Sequence, residues 1–236
     1  MADASAVPGG ANRLLAALPR RDYRRLATGL EPVALNQGEV LFEAGEPIRA
    51  VYFPDGGLVS VLVPLGGEKV AEVAVVGREG MVGLPVFLGA DAHPHRAIVQ
   101  APGSALRLPA EALRAAVRRS PALGERLLRY ADAFLVQVSQ SAVCNCLHPV
   151  PKRYCRWLLM AHDRVGSDRL PFTQKLLALM LTVRLASVSE ATGSLERAGL
   201  IRYRRGELHI LDRPGLEAAC CGCYRLIQNY FEHLPW

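Results

Sequence analysis

The sequence predicts an α+β protein: an antiparallel β-domain, then a long helix, then a C-terminal helix-turn-helix with a hairpin. Three observations predict this class. Short Val- and Ile-rich runs alternate with Gly and Pro from residue 32 to about residue 108, which is typical of an antiparallel sandwich or barrel. A long helical pattern begins near Pro121. Two short helical patterns then follow almost back to back within residues 173–199.

Composition indicates a globular chain. Of its 236 residues, 50% are hydrophobic and 21% are charged, which argues against disorder. The N-terminal apolar stretch is too short and too interrupted for a secretory signal. The longest uncharged run, residues 133–151, carries several Ser, Gln and Asn side chains, which argues against a membrane span. We therefore expect a cytoplasmic protein that has no membrane partner.

The net charge of +6 is concentrated in the C-terminal part. Residues 148–236 hold 13 Lys or Arg against 8 Asp or Glu, and residues 169–205 hold seven against two. A local basic surplus attracts polyanions because it releases their counterions. A solvated protein surface has a similar composition, so charge alone leaves both interpretations open.

The six cysteines show no repeated C-x-x-C spacing. In a cytoplasmic chain they are expected to be small buried hydrophobes rather than disulfides. The alternative is a metal or redox site at Cys220, Cys221 and Cys223, with Cys144 and Cys146 nearby. Because residues 220–223 are predicted to be helical, one helix face cannot present both Cys220 and Cys221. No metal site is therefore predicted.

The first elements are two short helices between residues 11 and 30, followed by the β-domain. Gly-Gly pairs at residues 56–57 and 66–67 separate its strands. Turns also explain Gly77 and Gly80 in "GREGMVG". After Pro109, "AEALRAAVRRS" predicts one short helix before the long one.

The long helix carries an apolar stripe at steps of three and four residues. A stripe of this length fits a dimerisation seam, and packing onto the chain's own core is the alternative. The prolines of "HPVP" then end the helix. This predicts three parts, residues 1–118, 119–148 and 149–236. The stripe consists of Leu123, Leu127, Tyr130, Phe134, Leu135 and Val138.

Residues 173–199 predict a helix-turn-helix. Thr173 is a good N-cap, three residues from Thr182 to Arg184 separate the helices, and Gly199 ends the second one. In this motif the second helix enters the DNA major groove with its N-terminus first. A helical hairpin of a protein core is the alternative.

"LIRYRRGELHILD" predicts two strands joined at "RRG", with arginines at the tip. A hairpin wing that touches phosphates has this composition, because phosphate contacts need charge rather than base readout. The motif, the wing and the basic surplus together favour double-stranded DNA as the partner over a generic surface hairpin. The predicted DNA-binding residues are Thr173, Lys175, Arg184, Leu185, Ala186, Ser187, Ser189, Glu190, Arg202, Arg204 and Arg205.

The chain resembles the Crp/Fnr family of bacterial transcription regulators over nearly its whole length. "GEVLFEAGEP" resembles the start of the family's sensor β-roll, which is jelly-roll-like and of the cyclic nucleotide-binding type. The long helix resembles its dimer helix, and "FTQKLLALMLTVRLASVSEATGSLERAGLIRYRRGELHILD" resembles its winged helix-turn-helix. The resemblance implies a homodimer on a palindromic promoter site, with RNA polymerase as a further partner. No nucleophile–base pair, P-loop or metal-ligand spacing predicts an enzyme.

The sequence departs from the family's cyclic-AMP pattern. Those members carry a Gly-Glu pair for the ribose and an Arg-Ser pair for the phosphate, whereas the corresponding pocket residues here are Gly83, Leu84, His95 and Arg96. A one-residue shift of the alignment could let Arg96 serve the phosphate, but Leu84 cannot accept a hydrogen bond from the ribose hydroxyl. A buried unpaired hydroxyl costs about 1–3 kcal/mol. Cyclic AMP is therefore not expected.

The family's other cofactors are not predicted either. The first cysteine is Cys144, so the N-terminal cluster of the iron–sulfur members is missing. The carbon-monoxide sensors bind haem through a His, which would suggest His93 or His95, but a loop "HPH" is more typical of exposed side chains. The effector is left unidentified.

The second helix departs from the family too. Its base-contacting positions correspond to Leu185, Ala186 and Glu190, where well-known members have Arg and Glu, and Thr182 replaces a common turn glycine. The operator is expected to differ accordingly. The alternative function is a cyclic-nucleotide or other small-molecule sensor that acts through protein partners.

Overall fold

The computed structural model describes residues 12–67 and 69–234 of the chain. The helices are α1 (Arg13–Ala16), α2 (Arg20–Ala27), α3 (Leu84–Phe87), α4 (Ala110–Arg119), α5 (Pro121–Leu147), α6 (Val150–Val165), α7 (Gln174–Leu181), α8 (Leu185–Arg197), α9 (Arg213–Ala219) and α10 (Cys223–Glu232). The strands are β1 (Glu31–Leu35), β2 (Val40–Phe42), β3 (Ala50–Pro54), β4 (Leu58–Pro64), β5 (Val70–Val76), β6 (Arg96–Ala101), β7 (Gly103–Pro109), β8 (Arg169–Leu170), β9 (Ile201–Arg204) and β10 (Glu207–Ile210). This order confirms the predicted α+β class.

Strands β1–β7 form two antiparallel sheets, in the orders β1-β7-β3 and β2-β6-β4-β5. Both sheets bury Val- and Leu-rich faces, with Val51, Phe53 and Leu58 fully enclosed between them. Burial of such faces is the main stabilising term for a sandwich of this kind. The β-roll prediction is confirmed.

Gly77 and Gly80 bound a turn, as predicted, because the Gly80 amide donates to the Gly77 carbonyl at 3.1 Å. Neither has a positive φ, so the turn alone does not require glycine at these two positions. A Cβ on Gly80 would lie 2.4 Å from the Tyr130 ring, and one on Gly77 would lie 2.7 Å from the Arg164 side chain. These glycines also let the β-roll approach α5 and α6 closely, a reason that the sequence did not reveal.

Helix α5 packs one face onto the chain's own core. The Ser120 hydroxyl accepts from the Leu123 amide and begins the helix. Leu123, Leu127 and Tyr130 are buried inside the chain, so the seam prediction is wrong for these three residues. Phe134 and Val138 are half-buried, and only Leu135 of the predicted stripe is exposed.

A second apolar line runs along the outer side of α5. Leu128 and Leu135 on this line are 59% and 61% exposed. Its spacing of three and four residues is that of a coiled-coil seam. We call this line the outer stripe, and its members are Leu128, Ala131, Leu135, Val138 and Ala142.

The C-terminal part packs tightly on the β-roll through α6. The Trp157 indole donates to the Glu72 carboxylate of β5 at 2.6 Å, and the Trp157 ring packs edge-on against Phe172 at 4.9 Å between centroids. Met180 of α7 lies against Ser60 and Gln100 of the β-roll. The helix-turn-helix is therefore held against the sensor sheet.

Residues 220–222 are a turn rather than part of a helix. Helix α9 ends at Ala219 and α10 begins at Cys223, so the predicted continuous helix is wrong here. Helix α10 then runs beside α5, where Phe231 packs near Tyr130 and the Tyr230 hydroxyl donates to Asp132.

In the described part of the chain, no single helix is long and apolar enough to cross a membrane. Helices α7 and α8 would qualify together by length and composition, but they are bent by 110° at the break between them.

Candidate nucleic-acid interface and effector cavity

Helices α7 and α8 form a helix-turn-helix. The Thr173 hydroxyl accepts from the Leu176 amide at 3.2 Å, which caps α7 as predicted. The 110° angle between the two helices lies in the range of this motif. The break after Leu181 therefore directs α8 away from the surface on which α7 packs.

Thr182 makes the turn in a left-handed conformation, with φ 52° and ψ 51°. The amides of Thr182 and Val183 donate to the carbonyls of Leu179 and Ala178, which closes the end of α7. Thr182 thus adopts the backbone conformation that a turn glycine would supply. A β-branched residue in this conformation is strained by about 1–2 kcal/mol.

Helix α8 has one buried and one exposed face. Val188, Ala191 and Leu195 are buried, and the Thr192 hydroxyl donates to the Tyr154 hydroxyl at 3.2 Å. The predicted contact residues at the start of the helix lie on the other side: Arg184, Leu185, Ala186, Ser189 and Glu190 are exposed, and Ser187 is half-buried. The first two turns of α8 are thus displayed to solvent.

Gln174 was missed from the sequence. Its Oε1 accepts from the Ser189 hydroxyl at 2.7 Å, and its backbone amide donates to the Tyr203 hydroxyl at 3.1 Å. Gln174 therefore connects α7, the exposed face of α8 and the wing. The sequence did contain a signal for Gln174: it directly follows the N-cap Thr173, so it lies at the start of α7, the helix that supports α8.

Strands β9 and β10 form the predicted wing, and β8 extends it to a three-stranded sheet in the order β8-β10-β9. The two-residue turn at Arg205 and Gly206 has positive φ at both residues, 51° and 87°, which is the type I′ hairpin geometry. Arg202, Arg204 and Arg205 are exposed. The tip therefore projects two adjacent arginines.

The basic side chains of this surface are not neutralised. Within the described residues, no carboxylate lies at ion-pair distance from any of these five. They are Lys175, Arg184, Arg202, Arg204 and Arg205. Together with the Thr173 cap, the structure brings all the predicted DNA-binding residues onto α7, α8 and the wing.

The other wall of this surface belongs to the β-roll. Thr173, Lys175 and Arg184 line a groove of about 890 Å³ that is bounded on its far side by Leu65 and Lys69, near the end of β4 and the start of β5. The start of α8 therefore lies next to the β4–β5 hairpin, which adds a further basic residue.

A second cavity lies between the β-roll and α5. It measures about 440 Å³ and is mainly apolar. Gly83, Leu84 and His95 line it, as predicted, and Leu135 and Val138 of α5 form the opposite wall. Arg96 is not among the residues that line this cavity, and it lies 3.3 Å from the Glu43 carboxylate instead.

The pKa values of the two cavity histidines are both lowered. Burial lowers the pKa of His93, and burial together with the charge of His93 lowers the pKa of His95. The rings are 4.2 Å apart, and the buried Nδ1 of His93 has no hydrogen-bond partner among the described residues. The cavity therefore offers two imidazoles and the Asp132 carboxylate in a mainly apolar wall, and no Lys or Arg is among its lining residues.

Comparison with known proteins places these features together. The cyclic nucleotide-binding domain profile matches residues 32–120, and the Crp-like helix-turn-helix domain profile matches residues 152–219. The fold therefore defines a helix-turn-helix regulator with a cyclic nucleotide-binding-like β-roll. The chain belongs to the Crp/Fnr family of transcriptional regulators. No curated protein matches it in sequence.

Solved structures share this fold at low identity. FixK2 from Bradyrhizobium japonicum is 16% identical at a TM-score of 0.69, covering 81% of this chain and 98% of that one. A CRP/FNR regulator from Thermus thermophilus is 21% identical at 0.65, covering 80% and 97%. The c-di-GMP-responsive regulator CLP from Xanthomonas campestris is 14% identical at 0.66, covering 81% and 99%.

Proposed function

We propose that the protein is a homodimeric, sequence-specific regulator that binds a palindromic promoter site. One observation carries this proposal: the first two turns of α8 are exposed beside a wing whose arginines have no carboxylate at ion-pair distance among the described residues. An exposed helix start can enter the major groove, and the wing arginines can contact the adjacent phosphates.

The chemistry of α8 suggests which bases it contacts. Glu190 can accept from a cytosine amino group, and the apolar Leu185 and Ala186 can pack on a thymine methyl. Arg184, at the helix start, can donate to guanine or phosphate. Ser189 is already oriented by Gln174, so its hydroxyl is fixed in position before DNA arrives.

The outer stripe of α5 supports dimerisation. Its apolar side chains repeat at coiled-coil spacing, and Leu128, Leu135 and Ala142 are exposed, whereas Ala131 and Val138 are half-buried. Large exposed apolar surfaces on a single chain mark interaction sites. Two α5 helices packed along this stripe would place two α8 helices on one DNA face, with half-sites one helical turn apart.

The cavity supports a mainly apolar effector rather than cyclic AMP. Its volume suits a small organic ligand, and its lining contributes aliphatic groups, two imidazoles and the Asp132 carboxylate, with no Lys or Arg for a phosphate. Arg96, the only charged residue proposed for phosphate, is paired with Glu43 outside this lining. Calorimetry is expected to show no binding of cyclic AMP to the purified chain.

Selection from a randomised duplex library tests the proposed function. The purified chain is expected to enrich a palindrome whose half-site centres are about 10 base pairs apart. Glu190→Ala is expected to relax the preference at one base of each half-site, while Arg225→Ala, on the exposed side of α10, leaves it unchanged. Recovery of no preferred duplex at moderate salt would sink the proposal.

A further inference from the structure

Four metal-ligating side chains meet where α5 joins the C-terminal helices. Two come from the end of α5, one helical turn apart, and two flank Gly222 at the start of α10. Their donor atoms all lie within 4.8 Å of one another. We call this group the thiol–imidazole cluster, and its members are Cys144, His148, Cys221 and Cys223.

The distances in the cluster fit a tetrahedral site. The sulfurs of Cys144 and Cys221 are 3.6 Å apart, and the Cys223 sulfur is 3.5 Å from His148 Nδ1. A tetrahedral zinc ion with Zn–S of about 2.3 Å and Zn–N of about 2.0 Å places its ligands about 3.8 Å (S to S) and about 3.5 Å (S to N) apart. These two separations therefore match those of a tetrahedral site, and the other donor pairs lie within 4.8 Å.

The surroundings also fit a closed structural site. All three sulfurs are buried, and His148 is half-buried. The Gln140 side-chain amide donates to the Cys223 sulfur at 3.0 Å, as an outer-shell donor to a metal thiolate does. Two buried guanidinium groups of α6, Arg153 and Arg156, interact electrostatically with Cys144. Three thiolates, one neutral imidazole and Zn²⁺ carry a net charge of −1, which these cations offset.

The other cysteines are outside the cluster. Cys220 points its sulfur toward the Lys152 carbonyl at 3.8 Å, and Cys146 is exposed. The alternative set considered from the sequence was Cys220, Cys221 and Cys223 with Cys144 and Cys146. The cluster differs from that set because it includes His148 and leaves out Cys220 and Cys146. The turn at residues 220–222 is what frees Cys221 and Cys223 to face the end of α5.

We propose that this junction holds a structural zinc ion with four protein ligands: Cys144, His148, Cys221 and Cys223. Soft thiolates with one imidazole favour zinc over magnesium or calcium. The ion would join the two ends of the segment that contains the helix-turn-helix and the wing. It would thereby fasten α10 to α5 and fix where the DNA-binding surface lies relative to the long helix.

Cobalt substitution of the full-length chain tests the site. Reduced, chelator-treated protein is expected to bind one Co²⁺ per chain, with the intense visible bands and sulfur-to-cobalt charge transfer of tetrahedral thiolate coordination. One equivalent of Zn²⁺ should abolish these bands, and protein isolated without chelator should contain about one zinc per chain by elemental analysis.

Neighbouring cysteines supply matched controls. Cys221→Ser and Cys223→Ser are expected to weaken metal binding by at least about 100-fold, and Gln140→Leu by about 10-fold. Cys220→Ser and Cys146→Ser should bind as the parent does. Circular dichroism of each metal-free variant separates ligand loss from failure to fold.

Three results would overturn the proposal. The first is a reduced parent chain that binds no Co²⁺, or binds it with the weak bands of octahedral coordination. The second is binding that persists in both Cys221→Ser and Cys223→Ser. The third is a metal-free isolated protein in which Cys144 and Cys221 are joined in a disulfide, shown by a mass 2 Da lower per bond that reduction reverses without restoring Co²⁺ binding.

Discussion

Arg164 donates to the Glu79 carboxylate at 2.8 Å, and both side chains are almost fully buried. Glu79 belongs to the loop after β5 and Arg164 to the last turn of α6, so the ion pair joins the β-roll to the C-terminal part. Each partner is satisfied further: Glu79 accepts from the Gly77 amide, and Arg164 donates to the Met160 carbonyl. The close approach allowed by Gly77 makes this geometry possible.

Removing one partner of this pair should be costly. Arg164→Met leaves the Glu79 carboxylate buried without its cation, and we expect a loss of about 3–5 kcal/mol in the free energy of unfolding. The double variant with Glu79→Gln should recover part of it, because both charges are then gone. Urea denaturation of the parent, Arg164→Met and the double variant measures these changes in the free energy of unfolding.

The control for this prediction is Arg114→Met. Arg114 pairs with Asp91, which is mostly exposed, so its removal should cost less than about 1 kcal/mol. Equal losses from the two single variants would contradict the special role of the buried pair.

Glu72 should make stability depend on pH. Burial raises the pKa of Glu72 to about 7, although hydrogen bonds from Ser60 and Trp157 act in the opposite direction. The folded chain therefore binds this proton more tightly than the unfolded chain, whose glutamate has the ordinary pKa of 4.5. Its contribution to stability is present below about pH 4.5 and is lost as pH rises toward 7.

Glu72→Gln should remove this dependence. We expect the free energy of unfolding of the variant to exceed that of the parent by roughly 2 kcal/mol at pH 8, where the Glu72 carboxylate is ionised. At pH 5 the two free energies should differ little. Urea unfolding at both pH values measures this difference. The control is Glu46→Gln, because Glu46 is exposed. A parent whose stability rises between pH 5 and 7, or a variant with the parent's slope, would count against the assignment.

Thr182→Gly should stabilise the chain. Glycine adopts the left-handed conformation of this turn without the strain of a β-branched side chain. After the greater entropy of unfolded glycine is subtracted, we expect a gain of about 0.5–1 kcal/mol. Thr28→Gly is the control, because Thr28 ends α2 with φ −65° and should lose stability instead. If thermal unfolding showed that both substitutions change the stability in the same direction, the strain argument would be refuted.

Leu135→Lys should dissociate the proposed dimer. Leu135 lies at the middle of the outer stripe and is 61% exposed in the single chain, so a lysine there would bury two charges in the seam. We expect the free energy of dimerisation to weaken by about 2 kcal/mol or more, measured by sedimentation. The control is Val143→Lys, because Val143 is also exposed but lies on another side of α5; this variant should associate as the parent does. A parent chain that is monomeric would remove the basis of this prediction.

Arg204→Ala should weaken DNA binding without changing its specificity. Arg204 projects from the wing and has no carboxylate at ion-pair distance among the described residues. If Arg204 contacts a phosphate, the substitution should lower the affinity for every duplex by a similar factor. It should also reduce the slope of log K against log salt concentration by about 1. Fluorescence anisotropy at several salt concentrations measures both quantities. Arg225→Ala, which removes an equal charge from α10, should preserve the slope.

The sequence predicted the helix-turn-helix well because its signals are local. The Thr173 cap, the three-residue break and the "RRG" turn each act over a few residues, and the structure has all three. Helical periodicity could also reveal an apolar face on α5. It could not tell which face another element covers, so Leu123, Leu127 and Tyr130 were assigned to a seam although all three are buried within the single chain, Tyr130 beside Phe231 of α10.

The thiol–imidazole cluster illustrates the opposite case. Its two halves, Cys144 with His148 and Cys221 with Cys223, are separated by the whole helix-turn-helix and wing. Only the path of the chain brings them together, and the expectation of a continuous helix at 220–223 concealed the turn that does so. For the cavity beside α5, the sequence predicted three lining residues, Gly83, Leu84 and His95. It could not predict the cavity's volume, which depends on how closely the sheet and the helix approach.

The wall that α5 gives to the cavity has a thermodynamic consequence. Leu135 and Val138 line the cavity and also belong to the outer stripe, so a bound effector and a second subunit would contact the same two side chains. The two equilibria are then linked. If a bound effector changes the self-association constant by some factor, self-association must change the affinity for the effector by the same factor. A titration of either equilibrium would therefore report on the other, without any signal having to travel through the fold.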